Sequence, residues 1–390
     1  MNGGQIKLHE ILADECHVLD QMQKAGGITE RIRSLETEGR KDEARCLLSE
    51  TVERLSRGEN KVIYDEAGVP SVMVRIPALR CSELLEGRGS GFHPAFCGKN
   101  GVIREVWVSK YINCVVDGRA ASLPMRFPQR VSTHEEAVSL CRAKGDNWLP
   151  MPFQLRMAIA LWCRRQGFWP GGNNHGGHDF LHPEECGTSS EDGLTLTGSG
   201  PLKWSHNGRR EGIWDLNGNL NEWDVGLRLM NGEIQIIEME DLLVPDGDLS
   251  SKSALWHAFG VRGERLPAGD DHALCYAAAG GGIRLGKRAE RDGVGNCAFW
   301  DIRAESGLEV PDALRLLGLF PPEGGNAKTT DWRWVNTQGE RLPLSGGAYR
   351  ALDHAGIFFT GMTKHRRENY TLAGVRCIYV DPLAVEEGSL

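Results

Sequence analysis

What most limits the fold is where this sequence places its aromatic residues. Residues 1–60 contain no Phe, Trp, Tyr or Pro, whereas all 11 Trp lie between Trp107 and Trp334. A stretch without aromatic anchors can bury only aliphatic stripes, and here Leu8, Ile11, Leu12, Cys16, Leu19 and Met22 recur at helical spacing. Gly26-Gly27 is expected to break that run, and Leu47, Leu48, Val52 and Leu55 resume it. Residues 1–60 therefore read as a helical N-terminal element of two or three amphipathic helices. Two roles are open to it: docking or homo-oligomerisation, as in a short coiled coil, or packing against the rest of the chain. Of the 49 glycines, 7 lie in residues 1–70 and the rest follow. The total is about twice the usual share of roughly 7%, and with the Trp residues it predicts a domain over 61–390 whose irregular loops are pinned by large anchors.

The net charge of −8 gives the molecule no broad electrostatic reason to bind nucleic acid or an anionic membrane. No apolar run approaches the roughly 18 residues of a membrane helix. Met1–Leu12 lacks the basic and apolar segments of a secretory signal, which predicts synthesis in the cytosol without membrane insertion. The 11 Cys are scattered and include no C-x-x-C pair, as expected of reduced thiols rather than a structural zinc site.

From Lys61 the pattern turns β-like, with KVIY, a turn at Asp65–Gly68, and SVMVRIP forming a hairpin. Val106–Tyr111 is a further strand. Thr133–Lys144 and Pro152–Arg165 are amphipathic helices, the first with Thr133 and Glu136 spaced as a capping box. The tracts Gly171-Gly172, Gly280–Gly282 and Gly346-Gly347 lack the G-x-x-x-x-G-K-[ST] of a phosphate loop, and predict turns and close backbone approaches instead.

The most informative stretch is Gly212–Trp223, GIWDLNGNLNEW, in which Trp214 and Trp223 bracket a turn at Asn217-Gly218. It resembles the hallmark G-hydrophobic-x-D/N-x-x-G-N-V-W-E-W of the formylglycine-generating enzyme, or sulfatase-modifying factor, family, a branch of the C-type lectin fold. Asn221 stands in place of the first Trp of the W-E-W ending. Gly346-Gly347-Ala348-Tyr349, Ala355-Gly356-Ile357-Phe358 and Ala373-Gly374-Val375-Arg376-Cys377 are similar in order and spacing to that family's R-G-G-S-W, A-G-V-F and G-F-R. Trp107–Asn113 with Ala121–Pro124, and the Trp148–Trp162 helix followed by Pro170–Asn174, resemble segments of phage and prophage members. The resemblance covers about residues 70–380 and implies an α+β, C-type-lectin-like domain.

The phage-type members are the variable target proteins of diversity-generating retroelements, whose C-terminal lectin segment is rewritten by adenine-directed mutagenesis. Residues 345–378 have that layout. The resemblance implies a scaffold of Gly346, Gly347, Ala355, Gly356, Phe358, Gly374 and Arg376. It also implies a ligand surface of Tyr349, Arg350, Asp353, His354, Phe359, Lys364, Arg366, Arg367, Asn369 and Tyr370. The partner would be a protein or cell-surface receptor, and the destination a virion, such as a phage tail, or the cytoplasm. Arg350, Lys364, Arg366 and Arg367 against Asp353 and Glu368 make this segment net positive. That suits either an acidic partner or a charged, solvated loop.

Enzymes of the family use a C-terminal Cys pair to bind copper and oxidise a peptide Cys. Here the corresponding region holds only Cys377, with Cys297 the nearest other thiol. A binding protein rather than an enzyme is therefore expected, with oxidation of a peptide or thiol substrate as the alternative. His9 and His17 do not have the spacing of the iron-binding motif in the related sulfoxide synthases. His175, His178, His182 and Cys186 fit no common zinc spacing and are expected to be incidental. Asn219 and Glu222 offer oxygen ligands in a Gly-Asn-x-x-Glu loop, suited either to a structural calcium ion or to stitching the loop by hydrogen bonds. No other cofactor is expected.

Overall fold

The computed structural model describes residues 6–87, 89–99, 101–287, 293–325 and 331–387. The N-terminal apolar stripes form three helices: α1 (Leu8–Val18), α2 (Met22–Thr37) and α3 (Lys41–Leu55). Gly26-Gly27 does not break the helix but lies inside α2, with both residues exposed. Each costs about 1 kcal/mol of helix propensity, and the buried seam of Ala25, Ile32 and Leu35 offsets it. The stripes close on the rest of the chain: Leu12, Cys16, Leu48 and Val52 share one core with Val62, Val72, Tyr111, Trp204 and Trp214. Met22 is the only large apolar residue of these helices that is strongly exposed among the described residues. Of the two roles open to the element, packing is the one observed, and little apolar surface is left for a coiled coil.

Glu15 of α1 enters that core and pairs with Lys110, both fully buried. The Lys110 ammonium also donates to Asn60 Oδ1 (3.0 Å), and the Tyr111 hydroxyl donates to Glu15 Oε2 (2.7 Å). A buried pair is stable only when its remaining polar atoms are satisfied, and these neighbours meet that condition.

The hairpin is present as β1 (Asn60–Tyr64) and β2 (Pro70–Pro77). Asp65 Oδ1 accepts from the backbone N of Ala67 and Val69 to hold its turn. Then follow β3 (Glu105–Ser109), α4 (His134–Arg142), β4 (Trp148–Pro150) and α5 (Phe153–Arg165). Thr133 caps α4 by accepting from Glu136 N (3.1 Å), while the Glu136 carboxylate takes the amide of Ser132 (2.8 Å) rather than that of Thr133. The capping box is thus shifted by one residue.

The second half is mainly β: β5 (Asn221–Trp223), β6 (Leu227–Met230), β7 (Glu233–Ile236), β8 (Val294–Ala298), β9 (Trp332–Asn336), β10 (Glu340–Gly346), β11 (Gly356–Lys364) and β12 (Cys377–Tyr379). One sheet has five antiparallel strands in the order β1-β2-β3-β12-β4. A 13-stranded sheet runs β8-β9-β11-β10-β6-β7 and onward, with β5 pairing on β10. Strands β9 and β11 are parallel, while β10 and β11 are antiparallel. The architecture is mixed α+β with a small helical N-terminal region. No helix among the described residues is long and apolar enough to cross a membrane.

Candidate functional site

The loop Gly212–Trp223 and the C-terminal segment meet on a buried charge cluster. Glu222 on β5 accepts from Arg376 Nε (2.9 Å) and Nη2 (3.0 Å), and from Arg156 Nη2 of α5 (3.0 Å). Arg156 Nε also holds Asp224 (2.8 Å), and Arg376 donates to the carbonyls of Ser109 and Trp214 (both 2.8 Å). Burial pushes the Glu222 carboxyl up, but the two guanidinium groups prevail and hold it below the usual range. For Asp224 burial wins over Arg156, and its carboxyl rises to about 6. Arg376 therefore ties the two sheets and the Trp214 loop together, and serves as scaffold.

Asn219 is equally committed. Its Oδ1 accepts from Thr195 N (3.1 Å) and Asn173 Nδ2 (3.3 Å), and its Nδ2 donates to Thr195 O (3.1 Å). A calcium ion held by Asn219 and Glu222 would have to displace these bonds and two guanidinium groups, so this residue pair does not fit the ion and stitches the loop instead. Gly172 and Gly218 explain the glycines nearby. A Cβ on Gly172 would overlap the Asn217 carbonyl, and one on Gly218 (φ +83°) the Asn173 carbonyl. Two loops thus cross backbone against backbone, with Asn219 N donating to Asn173 O at 2.6 Å.

The residues expected to form a ligand surface divide into three groups. Tyr349 (2% exposed) and Phe359 (8%) are buried and present no surface, which corrects their assignment. Tyr349 anchors the turn after Gly347: its N donates to Asn219 O, its carbonyl accepts from Gly176 N, and its hydroxyl accepts from Arg130 Nη2 (3.2 Å). Phe359 lies on β11, which β9 and β10 flank on either side, so Gly356–Met362 is buried without a break.

Arg350, Asp353 and His354 lie before β11, on the turn that Gly346 (φ +87°) and Gly347 (φ +84°) make possible. A Cβ on Gly347 would come within 2.8 Å of the Ala355 Cα. Lys364, Arg366, Arg367, Asn369 and Tyr370 lie at or beyond the other end of β11. Nine residues of strand separate the two groups by about 26 Å at roughly 3.3 Å per residue.

The basic character of this segment is largely neutralised within the chain. Arg366 is bidentate on Glu340 (2.9 and 2.8 Å) and donates to Leu249 O, Lys364 holds Glu368 (2.6 Å), and Arg367 holds Glu135 (2.9 Å). Tyr370 accepts from Asn221 Nδ2 (3.1 Å) and is half-buried, while Asn369 is exposed. Arg350 is exposed, with its guanidinium 5.0 Å from the Tyr349 ring centroid.

An aromatic surface that the sequence reading missed adjoins the first group. Trp332 and Trp334 alternate along β9, half-exposed, with ring centroids 5.8 Å apart. The His354 ring packs against Trp332 at a tilt of 41°, with centroids 4.2 Å apart. The W-x-W spacing on a short strand was the available signal. On the same turn, Leu352 and Asp353 line a cleft of about 430 Å3 with Phe168, Asn174 and Asn217.

The thiols are mostly sealed. Cys377 is fully buried beside Cys141, whose thiol burial raises well above its ordinary value, and burial also raises the half-buried Cys297. No protein-family model matches the chain, and a comparison with curated proteins finds no match.

Proposed function

We propose that this chain is a ligand-binding protein of C-type-lectin-like architecture, similar to the variable target proteins of phage or prophage diversity-generating retroelements. Its contact surface is centred on Arg350, Asp353 and His354 with the adjoining Trp332 and Trp334. One observation carries the reading: the partition of burial along residues 345–378. Gly346, Gly347, Ala355, Gly356, Phe358, Gly374 and Arg376, the positions a fixed scaffold needs, are all buried. Among the intervening positions Arg350, Asp353, His354, Lys364, Arg366, Arg367, Asn369 and Tyr370 are exposed or half-buried, whereas Tyr349 and Phe359 are buried. Substitution at such positions leaves the core untouched. Half-exposed Trp beside an imidazole and an exposed guanidinium supplies rigid, amphipathic contact area of the kind binding surfaces favour.

The surface is smaller than the charge pattern implied. Lys364, Arg366 and Arg367 are held by Glu368, Glu340 and Glu135, so the contacts are assigned to the 350–354 end. The partner is a protein or cell-surface ligand.

Sequencing the DNA that flanks the gene tests the reading. A reverse-transcriptase gene and a near-copy of the coding region for residues 345–378, differing at adenines, are expected. Substitutions concentrated at codons 350, 353 and 354 are expected among related isolates. Flanking DNA with neither gene nor copy, and isolates invariant at these codons, would refute it.

A further inference from the structure

The polar loop from His175 to Cys186 holds a second feature. Its histidines do not converge with Cys186 as a zinc motif would require: His178 Nδ1 is bonded to Pro183 O at 2.9 Å. The side chains that do converge are His182, Glu184 and Glu185, which can each offer a ligand atom within 4.8 Å of the others. Ligands about 2.0–2.2 Å from one ion lie no more than about 4.4 Å apart. His182 and Glu184 are exposed and need only rotate slightly to close the difference.

Glu185 supplies the observation that points to a ligand. It is 8% exposed, and its Oε2 is buried with no hydrogen-bond partner. A buried carboxylate oxygen without a donor is costly, about 1–3 kcal/mol or more. The buried group next to it does not supply the missing donor. Asp179, buried beside it, has only acceptor oxygens to offer, and they already take the amides of Gly172, Leu181 and His182. Asp179 Oδ2 and Glu185 Oε2 both lie within 3.2 Å of the position that a Cβ on Gly171 would take. Among the described residues the ammonium in contact is that of Lys203, 2.6 Å from Glu185 Oε1 and 63% exposed. Three carboxylates face one displaceable lysine, an imbalance that a divalent cation would cancel.

We propose that His182, Glu184 and Glu185 form a binding site for a first-row divalent transition-metal ion of the zinc and cobalt type, which displaces Lys203 from Glu185. One imidazole with two carboxylates suits such an ion better than calcium, which takes six to eight oxygen ligands. The loop is pre-shaped for it, because Asp179 N donates to Glu185 O at 3.0 Å and closes the turn. His182 and Glu185 line the cleft shared with Leu352 and Asp353, so coordination positions not filled by the protein open into it.

Cobalt(II) titration of the chelator-treated full-length chain tests this, followed by calorimetry and visible absorption. The absorption separates this site from the cysteines, because thiolate ligation adds a near-ultraviolet charge-transfer band that nitrogen and oxygen ligation lacks. One equivalent bound without that band is expected. Binding should be lost in H182A and in E185Q, and tightened in K203M. H182A changes an exposed side chain and keeps the test valid if E185Q folds poorly. No bound cobalt, binding retained in H182A, a thiolate band on the single equivalent, or affinity not raised by K203M would each overturn the proposal.

Discussion

Asp215 lies in the Gly212–Trp223 loop at the join between the N-terminal helices and the sheets, and it makes stability depend on pH in an unusual direction. Burial raises its carboxyl from 3.8 to about 7, against the opposing effect of Arg376. Its Oδ2 has no hydrogen-bond donor. A carboxyl raised on folding holds its proton longer in the native state, so its contribution is full below the unfolded value and is lost as pH climbs through the folded one. Integrating the two titrations from about pH 5 to about pH 8 gives a loss of about 2–3 kcal/mol over that interval. Asp215→Asn removes the ionisation and keeps the shape, and Asn tolerates the residue's φ of +61°. Any cost of the amide is constant with pH, so the slope is the diagnostic. Urea unfolding followed by Trp fluorescence should show the wild-type unfolding free energy falling across this range by that amount more than the variant's. Asp224, raised to about 6, adds a loss of the same sign to both proteins. Parallel stability profiles for wild type and D215N would refute the reasoning.

Two further substitutions separate scaffold from surface. Glu222→Gln leaves the Arg156 and Arg376 guanidinium groups buried without their shared anion. It should cost about 3–5 kcal/mol in urea unfolding; a loss below about 1 kcal/mol would contradict the hub assigned to Glu222. Arg366→Ala should lower stability by about 1–3 kcal/mol by orphaning part of Glu340, whereas Arg367→Ala, 78% exposed on its side chain, should change it by less than about 1 kcal/mol. Equal effects on the unfolding midpoint would remove the distinction.

Local pattern made much of the fold legible. The aliphatic stripes gave α1 and α3, the Asp65–Gly68 turn placed the hairpin, and Thr133 marked the start of α4. Asn217-Gly218 pointed to the tight loop that the crossing with Gly172 explains. Features that depend on distant residues were not legible. Tyr349 and Phe359 look like surface aromatics in a polar stretch, and only the central place of β11 and the Asn219 and Arg130 contacts bury them. The charge of Arg366 is cancelled by Glu340, a partner set by the pairing of β10 and β11. Gly26-Gly27 misled because helix α2 is decided by the seam it buries, not by propensity. His182, Glu184 and Glu185 lie within four residues of one another, and a reading of histidine and cysteine spacing passes over the two carboxylates.

The placement of β12 sets an order for assembly. This strand, near the end of the sequence, lies between β3 and β4 in the first sheet, and the adjacent Arg376 joins that sheet to Glu222 and Trp214. During synthesis β3 and β4 are thus made with a gap between them and with their facing edges unpaired, while Glu222 has only Arg156 as a cationic partner. Most of the chain must wait as an incomplete sheet, the long-range topology that folds slowly and exposes edges to other chains. The last few dozen residues therefore act as the keystone of the fold, and any variation tolerated in 345–378 has to spare the positions that seat it.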